Sequence, residues 1–152
     1  MKSKNMLQQR RLHPVLDSPT ARWLMIAGWM ALIFFLSSQP QLPSPPDPWA
    51  DLIFKKGAHF TVYAVLAVLF RRALPPSRWI WALPWVLTVL YAASDEWHQS
   101  FVPGRHPQLT DVLIDLCGAT TGLLIVWWLR RRAQAAVAPA GDSALAPTVA
   151  DK

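Results

Sequence analysis

"WIWALPWVLTVLYAASDEWHQSFVPGR", residues 79–105, starts as oil and ends as a polar knot. Its first 15 residues carry no charge, and its last 12 hold two acids, a histidine, a glutamine and an arginine. A membrane helix needs about 20 mostly apolar residues to cross roughly 30 Å of hydrocarbon. The apolar run from 79 to 94 is too short. It reaches the needed length only if the helix continues through Asp95 to about Gln99. The acids then lie in its last turns, within the boundary of the membrane.

The rest of the chain is of the same kind. Its 152 residues suit one ordinary domain. It is 53% hydrophobic and 16% charged, where soluble domains carry about a quarter charged residues. Nine tryptophans favour a membrane interface, where the ring is half oily and half polar. The net charge of +6 could point to nucleic acid. The basic residues, however, cluster at the ends of apolar runs and form no single stripe, so no nucleic-acid partner is expected. The one cysteine, Cys117, excludes an intramolecular disulfide.

Besides the quoted run, apolar segments cover 21–38, 57–70 and 112–129. Their connections alternate in charge. The N-terminal "MKSKNMLQQRRLH" has four basic residues; the proline-rich loop that follows the first segment has none before Lys55 and Lys56. "RRALPPSR" has three, the loop after Gln99 has only Arg105, and the last segment is followed by "RRR". Rich, poor, rich, poor, rich is the positive-inside pattern of four spans with both termini in the cytoplasm. The expectation is an all-α integral membrane four-helix bundle over 21–132. Residues 1–20 form a basic cytoplasmic tail, and the Ala- and Pro-rich 133–152 a disordered one. The first segment lacks an A-x-A-like cleavage site and reads as an uncleaved span. "QPQLPSPPDP", with five prolines, reads as extended.

This topology puts most of the polar chemistry in one leaflet. Lys56, His59 and Tyr63 start the second span, Asp95, Glu96 and Gln99 end the third, and Asp111 and Asp115 open the fourth. At about 100° per residue, Lys56, His59 and Tyr63 fall within roughly 60° of one another. So do Asp111, Asp115, Gly118 and Gly122; "GATTG" is a G-x-x-x-G that lets a second helix come close. "VPGR" is a turn that returns Arg105 toward the helix ends, where a guanidinium could clamp a carboxylate or phosphate. Glu96, His59 and Asp95 are the candidates for proton transfer. Lys56, Tyr63, Gln99, Arg105, Asp111 and Asp115 are the candidates for substrate binding. Gly118 and Gly122 are the candidates for helix packing.

Taken in order, "K..H...Y" (Lys56, His59, Tyr63), "DE..Q.F.PGR" (Asp95 to Arg105) and "D...D..G...G" (Asp111, Asp115, Gly118, Gly122) resemble the VanZ-like family. The match covers residues 56–122, and the four-span layout fits. Members of that family often have Asn where this chain has Asp115, and many have a small hydroxyl residue in place of Gln108. The resemblance implies a small bacterial membrane protein of the cell envelope; the namesake is associated with antibiotic resistance, to the glycopeptide teicoplanin.

Several functions fit these residues. The cluster could bind or modify an envelope or lipid-linked anionic substrate, with Lys56 and Arg105 holding the anion. It could relay protons or ions in a transporter, but the inner halves of the spans offer few polar groups. It could be structural in a scaffold, Lys56 and Arg105 neutralising four acids. His59, Asp95, Glu96, His98, Asp111 and Asp115 include metal-ligand types, but there is no H-E-x-x-H and no paired Cys/His spacing. Lys56 and Arg105 would oppose a cation, so neither a metal nor another cofactor is expected. His98 and His106 are expected to be solvated, and Trp97 to face lipid. The expected partners are the lipid bilayer and a lipid-linked or glycopeptide-related ligand.

Overall fold

The computed structural model describes residues 18–40, 45–105 and 108–137. Most of the N-terminal tail, positions 41–44 of the proline-rich loop, His106, and the Ala/Pro-rich tail after 137 lie outside the described residues. The chain forms α1 (Pro19–Ser37), α2 (Pro48–Ala73), α3 (Ala82–Gln99) and α4 (Leu109–Val137), with no strand among the described residues. The fold is all-α, as the composition and the apolar runs require.

Two helix starts are written in the sequence. Ser18 and Asp47 each precede a proline and accept a hydrogen bond from the third residue on, Ala21 N at 3.1 Å and Ala50 N at 2.7 Å. The side chain satisfies one orphan donor, and proline at the first position loses nothing. Because α2 starts at Pro48, Lys56 and His59 lie inside the helix. At 1.5 Å per residue its 26 residues span about 39 Å.

The third helix ends at Gln99, where the length argument places it. It starts at Ala82, three residues later than the apolar run, because 78–81 form turns, with Ile80 N bonded to Ser77 O. Helix α4 runs to Val137, past the expected end of the membrane domain at 132. The sequence there, "RRRAQAA", consists of strong helix formers. Helices α1, α2 and α4 are long and apolar enough to cross a membrane. Helix α3 is the shortest, with 18 residues and about 27 Å, and it carries Asp95 and Glu96 near its end.

Neighbouring contacts fix an up-down-up-down order. Ser37, at the end of α1, bonds Asp95 at the end of α3, so these two run parallel. Lys56 and His59 of α2 meet Asp111 and Asp115 of α4, so these also run parallel. Trp29 of α1 donates to Val62 O of α2, and Arg22 to Arg72 O, which sets α1 antiparallel to α2.

The bundle is oily outside. Trp23, Leu24, Phe35, Ile53, Leu90, Leu113, Leu124 and Ile125 are among many large exposed apolar side chains. An apolar surface on this scale suits lipid. The apolar interior is small: Ile26, Ile33, Tyr63, Leu66, Phe70 and Ala92 form one cluster, and Ala67, Ala119 and Leu123 a second. Helices α2 and α4 make the closest pair. A Cβ on Gly118 would collide with the Phe60 carbonyl, and one on Gly122 would lie 2.6 Å from Ala64 O.

Candidate functional site

Charges separate by end. Arg22, Arg71, Arg72 and the α4 arginines at 130–132 gather at one end of the bundle, with Arg71 stacked on Trp81. The candidate site residues gather at the other end, in two neighbouring groups.

The first group centres on Asp95, which is 5% exposed. Its Oδ2 accepts from Ser37 Oγ at 2.8 Å, Tyr63 Oη at 3.0 Å and Gln99 Nε2 at 3.1 Å. One carboxylate oxygen thus ties α1, α2 and α3. Sequence reasoning missed Ser37. The signal was the polar pair "SS" closing an apolar run, whose partner on a distant helix the sequence does not name.

The second group faces α4. Lys56 Nζ pairs with Asp111 Oδ1. His59 Nδ1 lies 3.2 Å from Asp115 Oδ1, and Asp115 is 1% exposed. The Glu96 carboxylate accepts the backbone N–H of Gln108 at 3.1 Å on Oε2, and its Oε1 is buried with no hydrogen-bond partner among the described residues. The His59 ring is stacked beside that of Tyr63, at 6.5 Å, which links the two groups.

Arg105 does not pair with the acids. Pro103 and Gly104, the latter at φ +81°, turn the chain as expected, which glycine permits without strain. The guanidinium then donates from Nε to Gln39 O at 3.0 Å and from Nη2 to Leu36 O at 3.2 Å. It caps the carbonyl end of α1, a favourable place for a cation. The expected neutralisation of four acids by Lys56 and Arg105 is therefore corrected: of these two cations only Lys56 makes an ion pair with any of them among the described residues.

His98 is also not solvated. It is half-buried against α1, its ring centroid 4.3 Å from that of Phe34 and its Nε2 3.4 Å from Ser38 Oγ, because the outer turns of α1 cover it. Trp97 is exposed, as its position opposite Gln99 predicts.

Between α1, α2 and α3 lies a cavity of about 90 Å³. Its lining mixes polar residues (Ser37, Lys55, His59, Tyr63, Asp95, Gln99 and Arg105) with apolar ones such as Ile33, Leu36, Phe54 and Val62.

A family model described as VanZ/LLP1 matches residues 22–130, which takes in all four helices and every residue of both groups. The chain belongs to the VanZ/LLP1 family. No curated protein and no solved structure matches it. The VanZ/LLP1 match spans α1 and Ser37, beyond the 56–122 stretch that carries the motifs. In this VanZ/LLP1 member the motif residues on α2, α3 and α4 share one end of the bundle, and Ser37 adds α1 to them.

Proposed function

We propose that this protein is a multi-pass protein of the bacterial inner membrane, with both termini in the cytoplasm. In this reading α3 is the fourth span. Its polar end opens in the outer leaflet, where it binds or modifies a lipid-linked anionic envelope substrate. The observation that carries this reading is the cavity between α1, α2 and α3, whose lining holds both charged and apolar side chains. A lipid phosphate has a charged head on an apolar chain, and the lining offers groups of both kinds. Arg105 lines it and has an Nη1 from which no described residue accepts. His59 also lines the cavity. The size of the cavity suits a phosphate or a few waters, since a water occupies about 30 Å³ in the liquid.

A transporter is less well supported. Below the cluster the buried residues are mostly apolar, and Thr88 is bonded to Pro84 O of its own helix. Among the described residues, buried polar groups between the cluster and the arginine end are few, whereas an ion path requires a continuous series.

Native mass spectrometry of the full chain with added polyprenyl phosphate tests the reading. The wild type is expected to retain the lipid, and Arg105→Ala, folded and monodisperse, to retain at least tenfold less. Equal retention by both contradicts it. A role in glycopeptide susceptibility is the corresponding expectation in cells, read as a change in teicoplanin sensitivity on deletion.

A further inference from the structure

The acids at the polar end outnumber the bases that reach them. Asp95, Glu96, Asp111 and Asp115 stand against the one ammonium of Lys56, with His59 beside Asp115. Burying several carboxylates with so little positive charge is expensive unless something compensates. Three of these side chains converge. His59, Glu96 and Asp111 each offer one ligand atom, and the three atoms lie within 4.8 Å of one another. Glu96 is only 7% exposed, and its buried Oε1 has no hydrogen-bond partner among the described residues. Asp115 holds His59 by Nδ1, which leaves the lone pair of a neutral imidazole on Nε2. A carboxylate behind a histidine in this way is the usual support of a metal-binding imidazole.

We propose that His59, Glu96 and Asp111 bind a divalent cation, with Asp115 as the positioning residue behind His59. One imidazole with two carboxylates suits a first-row ion such as Mn2+ or Zn2+. The expectation of no metal rested on the lack of a metal-binding sequence motif and on Lys56 and Arg105 both facing the acids, but Arg105 is bonded to the end of α1. Lys56 and the ion compete for Asp111. The inference deepens the headgroup reading and rests on this end of the bundle being the working site. Acids without a cation repel a phosphate; the same acids with an ion bind one.

The test uses the full chain in detergent, stripped with chelator and titrated with Mn2+, without added lipid, following the paramagnetic signal of free ion. One ion per chain is expected. His59→Ala and Glu96→Gln should each weaken binding at least tenfold, and Asp115→Asn by about 10–100-fold. Lys56→Met, which removes the competitor, should bind at least as tightly as wild type. Binding of no ion by the wild type overturns the proposal, as does wild-type affinity in both ligand variants. If a variant fails to fold, the wild type still decides: its unfolding midpoint must rise with added Mn2+, and an unchanged midpoint overturns the site. Because no lipid is present, failure here leaves the lipid-retention result untouched, and the two readings fail separately.

Discussion

Two adjacent buried carboxylates, Asp95 and Glu96, differ in how many donors reach them. Three donors from α1, α2 and α3 meet on Asp95 Oδ2, so its geometry is that of a lock. Glu96 Oε2 accepts a single backbone N–H, and the second oxygen of each of the two carboxylates is buried with no hydrogen-bond partner among the described residues. Asp95→Ala would strand the Tyr63 and Ser37 hydroxyls, at about 1–3 kcal/mol for each buried group left unsatisfied. Glu96→Gln keeps the size and can still accept from Gln108. Quantitative immunoblots of membranes should therefore show Asp95→Ala depleted and Glu96→Gln at wild-type abundance. Equal depletion of both would give Glu96 the same structural part as Asp95. Sequence spacing treats the two alike, because it shows which residues share a helix face and not which donors arrive from other helices. Arg105 was legible as the product of a Pro-Gly turn, but its partners are backbone carbonyls of α1, and a carbonyl carries no side-chain signature.

At the scale of the helix, Gly118 and Gly122 set how closely α4 approaches α2. A Cβ at Gly118 would meet the Phe60 backbone, which cannot swing aside as a side chain can. Gly122→Leu is predicted to prevent accumulation of folded protein, whereas Gly28→Ala on α1, with nothing within 4 Å of the added carbon, is predicted to be neutral. Membrane abundance by quantitative immunoblot checks both; comparable loss in the two would mean that close packing is not the reason for the glycines. The helices themselves were largely readable. Membrane thickness demands more residues than the apolar runs at 57–70 and 79–94 supply, and the missing turns had to come from the polar flanks. The part of α1 that packs was not readable. Its 19 residues, Pro19–Ser37, are almost uniformly apolar before the final serine, so no face stands out until Ile26 and Ile33 are seen buried and Phe35 exposed.

Over the whole molecule, one end carries arginines on α1, α2 and α4, and the other carries four acids, Lys56 and His59. Positive charge retained in the cytoplasm would orient such a bundle with its acid end outward. The headgroup reading and the ion site both use that orientation, because lipid-linked envelope substrates present their heads there. Cysteine labelling measures it directly. In a Cys117→Ser background, Ser100→Cys lies on the exposed turn after α3 and Ala133→Cys on the exposed last turns of α4. An impermeant maleimide applied to intact cells, whose outer membrane has been made permeable if they have one, should label Ser100→Cys. It should reach Ala133→Cys only after the inner membrane is broken. Labelling of Ala133→Cys alone in intact cells would put the acid end in the cytoplasm and contradict the account.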